Sequence, residues 1–149
     1  MTLFDAVTHA MTTLPSSGFS NYDSSMGHFT NSWIHWVAVL FMITASLPFV
    51  LYVQAMREKA GVRPIIQDDQ VREFGQFLAA TVLFLSVWLW LRETKPFLEV
   101  LRQVAFHVTS IVTTTGFTMS DYSLGGPLVF EMFFFLLYVG AAPGRPRAA

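Results

Sequence analysis

The chain has 149 residues, is 53% hydrophobic but only 13% charged, and carries a formal net charge of −1 with a mean hydropathy of +0.48. That balance places it in the membrane class rather than among soluble domains. Its nine Lys and Arg are scattered, which leaves no electrostatic footprint for nucleic acid, and the absence of Cys excludes disulfides, thiolate nucleophiles and Cys-ligated zinc.

In chain order, the opening MTLFDAVTHAM lacks the basic start and continuous apolar core of a signal peptide and reads as the middle of a longer pattern. A hydroxyl-rich stretch follows, TTLPSSGFSNYDSSMG, from Thr12 to Gly27. Trp33 to Ala55 then runs without Asp, Glu, Lys or Arg; at ~1.5 Å per residue it reaches about 35 Å, enough to cross a bilayer core as one transmembrane helix. Pro48 inside it removes one backbone hydrogen bond, which membrane helices tolerate where neighbours satisfy the freed carbonyl. The mixed-charge MREKAGVRPIIQDDQVRE, with Pro64, reads as a solvated connection, and Phe74 to Leu91 is about long enough for a second span.

KPFLEVLRQVAFHVTSIV places Phe97, Leu98, Leu101, Val104, Ala105 and Val108 at helical spacing, with Pro96 suited to a first turn. This helix is too short and too polar to span. Thr113 to Thr115 are β-branched and disfavour its continuation, and Gly116 permits positive φ. The last apolar run, Pro127 to Ala142, is short, contains Glu131 and stops at PGRPRAA.

Lys and Arg concentrate in cytoplasmic loops. Arg57, Lys59, Arg63, Arg72, Arg145 and Arg147 fall on one side of the three runs, against Arg92, Lys95 and Arg102 on the other, so both hydroxyl-rich stretches are expected outside. Trp33, Trp36, Trp88 and Trp90 then gather at the outer interface as an aromatic belt.

Sliding the chain by 98 positions aligns His9 with His107, Gly18 with Gly116, Phe19 with Phe117, Asp23 with Asp121, Ser25 with Ser123 and Gly27 with Gly125. Ser16, Ser17 and Ser20 meet Thr114, Thr115 and Thr118. Each copy predicts a short helix entering the membrane from outside and an extended return. Non-helical backbone at that depth is tolerated only where it lines a water-filled path or is buried in protein, and carbonyls in such a loop can replace a cation's hydration shell. The competing reading makes Thr-Thr-Thr-Gly-Phe an ordinary helix terminus with Gly at the cap; two copies on one side, each ahead of a span, favour the loop. Asp23 and Asp121 read as turn-formers or caps at the outer mouth, and His9 and His107 as buried helix residues with satisfied nitrogens. Glu131 faces either an ion path or water.

The stretches TTLPSSGFSNYDSSMGHF, QDDQVREF and VTSIVTTTGFTMSDYSLGGP resemble the membrane subunit of bacterial Trk-type potassium uptake systems, in the Trk/Ktr/HKT superfamily of cation transporters. The resemblance reaches to about Ala142. It implies an all-α integral membrane fold made of helix–pore-loop–helix repeats around a potassium-channel-like pseudo-fourfold pore, of which this chain supplies about two repeats of four. Residues 1–55 would be the pore helix, filter and inner helix of one repeat, 56–73 a cytoplasmic linker, 74–142 the outer helix, pore helix, filter and start of the inner helix of the next, and 143–149 an atypical tail. Main-chain oxygens of Pro15, Ser16, Ser17 and Gly18, and of Thr113, Thr114, Thr115 and Gly116, would hold potassium, with Phe19 and Phe117 as filter support.

The function so implied is potassium uptake across the bacterial inner membrane by a multi-pass protein. Potassium is its cargo, with no cofactor and no catalytic residue in this chain. Implied partners are the lipid bilayer, the remaining pore repeats, a second copy in a homodimer and a cytoplasmic nucleotide-binding regulatory subunit. The tail VGAAPGRPRAA departs from the family's Gly/Ser-rich gate loop and reads as a truncated or frame-shifted end. Two alternatives stand beside transport: a structural or regulatory membrane segment without transport activity, and a membrane-embedded enzyme built on His9, His107 and the two Asp residues. No HExxH, GxSxG or Cys supports the latter.

Overall fold

The computed structural model describes residues 1–57, 63–92 and 95–119. Six α-helices run through them, with no strand among the described residues: α1 (Leu3–Thr13), α2 (Ser32–Ser46), α3 (Phe49–Arg57), α4 (Arg63–Gln67), α5 (Asp69–Trp90) and α6 (Phe97–Val112). A short 3-10 helix, Ser25–His28, lies between α1 and α2. The third apolar run, Asp121, Glu131 and the tail fall outside the described residues.

Local chemistry sets the helix starts. Thr2 and Asp5 form a reciprocal capping box on α1: the Asp5 N–H donates to Thr2 Oγ1 at 3.2 Å, and the Thr2 N–H donates to Asp5 Oδ2 at 3.0 Å. Asn31 caps α2 through the Trp33 N–H, and Asp68 caps α5 by accepting from Gln70 and Val71. That second cap starts α5 five residues before the expected Phe74. At 22 residues, or about 33 Å, α5 is long and apolar enough to cross a membrane.

The single helix expected over Trp33–Ala55 is broken. Leu47 adopts the extended conformation favoured before proline (φ −73°, ψ 149°), and α2 and α3 meet at 84°. Pro48 therefore ends one helix instead of kinking a continuous one. The Tyr52 hydroxyl donates to the Thr44 carbonyl across the bend.

The centre of the structure is α6, which packs against α2 on one side and α5 on the other. Val100, Val104, Val108 and Val112 form one apolar row against Leu78 and Leu85 of α5. Phe106 turns the other way, into a cluster with Ala38, Val39 and Met42 of α2, Met26, Phe29 and Phe117. The second half of α6 is buried all round, so an amphipathic sequence pattern ends as a helix enclosed by protein.

Candidate functional site

Both short helices that point at the hydroxyl-rich stretches end in the same hydrogen-bonded closure. After α1, the Ser16 N–H donates to the Thr13 carbonyl (3.1 Å) and the Ser17 N–H to Thr12 (3.0 Å). After α6, the Thr114 N–H donates to Ile111 (3.0 Å) and the Thr115 N–H to Ser110 (2.9 Å), the same positions 98 residues on. This nested pair of bonds is a Schellman closure, which requires a left-handed residue. Ser16 (φ 54°) and Thr114 (φ 56°) supply it. A β-branched residue in that region is strained by roughly 1–2 kcal/mol.

Gly18 (φ 65°) and Gly116 (φ 83°) are left-handed as well, two residues beyond the closures. The glycines therefore do not cap the helices: that work falls to Ser16 and Thr114, and the ordinary-terminus reading of Thr-Thr-Thr-Gly-Phe loses its reason for glycine. A second left-handed turn so close to the first re-aims the peptide planes of the return path. The donors of that path are mostly occupied. Pro15 has no N–H, and those of Ser16, Ser17 and of Thr113 through Gly116 all bond back to carbonyls of the preceding helix. Carbonyl oxygens are the backbone groups left to meet a ligand, which suits a cation.

Hydroxyls hold this path from behind. Thr12 Oγ1 donates to the Phe19 carbonyl at 2.9 Å, and its counterpart Ser110 Oγ donates to the Phe117 carbonyl at 2.8 Å. Thr113 Oγ1 bonds the Thr109 carbonyl and Thr115 Oγ1, each at 2.8 Å, so both buried hydroxyls are satisfied. The two histidines also correspond. His9 Nδ1–H donates to the Asp5 carbonyl at 2.7 Å while Nε2 accepts from Ser20 Oγ at 3.0 Å. His107 hydrogen-bonds the Gln103 backbone, and its Nε2 accepts from the Met119 N–H at 3.2 Å. Both are buried struts with satisfied nitrogens, as expected, and among the described residues no cluster of His, Asp or Glu is placed to hold a metal.

The eight candidate ion-binding residues thus lie in two matching loops, and the loops touch. A Cβ on Gly18 would stand 1.9 Å from the Thr115 carbonyl oxygen, so only glycine allows this approach of one copy to the other. The two phenylalanines differ: Phe117 is fully buried between the copies, with the His9 ring 6.0 Å away, whereas Phe19 is 75% exposed. Asp23 is exposed. At the N-terminal end of α1, the Thr2 hydroxyl, helped by the Thr2 N–H, holds the Asp5 carboxyl below its usual range, and Tyr22 donates to Asp5 at 3.1 Å. Sequence reasoning missed the clamping role of Thr12 and Ser110 and the left-handed Ser16 and Thr114. The alignment at 98 residues, which pairs Thr12 with Ser110 and Phe19 with Phe117, held the signal for the clamp.

A family model described as TrkH, cation transport protein, matches residues 1–145. The chain belongs to the TrkH family. It is 40% identical over 146 residues to the Trk system potassium uptake protein TrkI of Halomonas elongata, covering 97% of this chain and 29% of that protein. It is 35% identical to TrkH of the same organism, over 97% of this chain and 30% of that protein. Among solved structures, the potassium transporter TrkH from Vibrio parahaemolyticus matches with a TM-score of 0.83 at 27% identity, covering 91% of this chain and 30% of that one. The chain therefore spans less than a third of the length of these relatives. Its fold is that of an all-α membrane protein with the helix and pore-loop arrangement of a TrkH transporter.

Proposed function

We propose that this chain supplies two neighbouring quarters of a potassium-conducting pore, and that the backbone oxygens of Pro15, Ser16, Ser17 and Gly18, and of Thr113, Thr114, Thr115 and Gly116, form half of its selectivity filter. Residues 1–55 act as pore helix, filter and inner helix of one quarter, 56–73 as a cytoplasmic linker, and 74–142 as the outer helix, pore helix, filter and start of the inner helix of the next. The observation that carries the reading is the paired backbone: left-handed residues at 16 and 18 recur at 114 and 116, with N–H groups turned back to the helix. Such a backbone turns most of its donors inward and offers carbonyls, the chemistry that replaces a cation's hydration shell. The relatives' description as potassium uptake proteins supports potassium as the cargo.

The whole protein works as a multi-pass transporter of a bacterial inner membrane without enzymatic chemistry. It assembles with its remaining pore repeats, a second copy of itself and a cytoplasmic nucleotide-binding regulatory subunit. Phe117 supports its filter from within the protein core, and Phe19 does so where the preceding quarter covers it. The test is potassium and sodium uptake by a full-length parent carrying Gly116→Ser, in cells lacking other potassium systems. Potassium preference should fall while membrane insertion survives. An unchanged preference would refute the filter.

A further inference from the structure

The extended segment that leaves the second loop, Thr118–Met119, is held by the first copy. The Gly27 N–H donates to the Thr118 carbonyl at 3.2 Å, and the Thr118 N–H donates to Ser25 Oγ at 3.3 Å, so the turn at Ser25–Gly27 grips both polar groups of one peptide residue. Gly27 lies against the next residue so closely that a Cβ there would stand 2.3 Å from the Met119 carbonyl oxygen and 3.0 Å from its carbon. From the other side, His107 Nε2 accepts from the Met119 N–H. The turn itself is anchored: Met26 is buried with Phe117 and Phe106, and His35 Nε2–H donates to the Met26 carbonyl at 3.1 Å. Ser25 holds a left-handed φ of 50°, a conformation that a serine adopts at a cost and that aims its hydroxyl at Thr118.

We propose that the Ser25–Gly27 turn of the first copy is a positioning element for the second filter: by clasping Thr118–Met119 it fixes where the chain leaves Gly116, and with it the direction of the Thr115 and Gly116 carbonyls. Selectivity in one quarter then depends on the outer turn of its neighbour. Thr118 is two residues from Gly116, with the buried Phe117 between them, so movement of the clasped peptide has no slack in which to dissipate. Neither Ser25 nor Gly27 touches the ion; both act through Thr118 and Met119. This inference rests on the filter reading of Thr113–Gly116.

The experiment uses the purified full-length parent in proteoliposomes, with potassium and sodium uptake measured for Gly27→Ala, Ser25→Ala, Ser25→Thr and Gly116→Ser. Gly27→Ala must push the Met119 peptide aside, and Ser25→Ala removes one acceptor without adding bulk. Each should lower potassium preference over sodium, Ser25→Ala by about fivefold, the size of one lost hydrogen bond, and Gly27→Ala by more. Ser25→Thr keeps the hydroxyl, at the strain a β-branched residue bears at left-handed φ, and should retain more of the preference than Ser25→Ala. Where Gly27→Ala fails to reach the membrane, the Ser25 pair decides. If Gly116→Ser loses preference while Ser25→Ala keeps it, or if uptake of both ions falls with an unchanged ratio, the positioning role is overturned and the filter reading stands. If Gly116→Ser also keeps its preference, the filter reading itself fails.

Discussion

Replacing Gly18 by alanine separates a packing need for glycine from a conformational one. The new Cβ would lie 1.9 Å from the Thr115 carbonyl oxygen, whereas ordinary contact needs roughly 3.5 Å, so one loop must retreat by about 1.5 Å. Crowding of that kind against backbone costs about 1–3 kcal/mol, and holding alanine at left-handed φ adds about 1–2 kcal/mol. Gly116 has the same conformational need, at φ 83°, but among the described residues nothing lies within 4 Å of a Cβ there. Gly116→Ala should therefore carry only the second cost. With about 1.4 kcal/mol per factor of ten, potassium preference over sodium should fall by roughly five- to thirtyfold in Gly116→Ala and by more than about thirtyfold in Gly18→Ala. The assay is paired uptake of both ions by a full-length parent at matched membrane abundance. Equal losses in the two variants, or a greater loss in Gly116→Ala, would refute the argument that Gly18 matters through its approach to Thr115.

Phe117→Ala should lower the thermal stability of the detergent-solubilised full-length parent by about 3 kcal/mol, because the ring is fully buried between the two copies; a melting temperature within error of the parent's would count against that burial. Ser110→Ala leaves the Phe117 carbonyl without its hydroxyl donor and should cost about 1 kcal/mol of stability together with a measurable loss of potassium preference; loss of neither contradicts the clamp. Pro48→Ala restores an N–H and frees Leu47, so spin labels at Val37 and Met56 should move apart toward a straight-helix separation; an unchanged distance would assign the bend to packing and to the Tyr52–Thr44 bond. The Asp5 carboxyl is depressed from its ordinary value of 3.8, so its cap on α1 is intact above that value and is lost as pH falls through the depressed one. Asp5→Asn should abolish this acid-dependent fraying, read by hydrogen exchange at the start of α1.

Much of the architecture could be read from residue pattern because the two copies repeat it. The pairing of Gly18 with Gly116 predicted a backbone reason for glycine, and both are left-handed. The helix expected from Phe97 starts there, since Pro96 and the Val and Phe spacing admit one reading. The break at Pro48 was only half legible, because proline marks the place but hydropathy is the same for a kinked span and a broken one. Left-handed Thr114 runs against the propensity of a β-branched residue; the closure after α6 and the bond between Thr113 and Thr115 hydroxyls hold it in place. The early start of α5 was written in Asp68, a capping residue absorbed into the charged linker. The clasp of Gly27 on Thr118 joins residues far apart in sequence and leaves no periodic trace.

The central claim is that carbonyls of the two loops bind the ion, and the most direct measurement is the location of rubidium or thallium in a structure of the full-length parent. The account predicts ion density on an axis shared by both loops, within coordination distance of the carbonyl oxygens of Ser17, Gly18, Thr115 and Gly116 and lost in Gly18→Ala. Density bound instead by side-chain carboxylates, or absent from these loops while the protein still transports potassium, would contradict it.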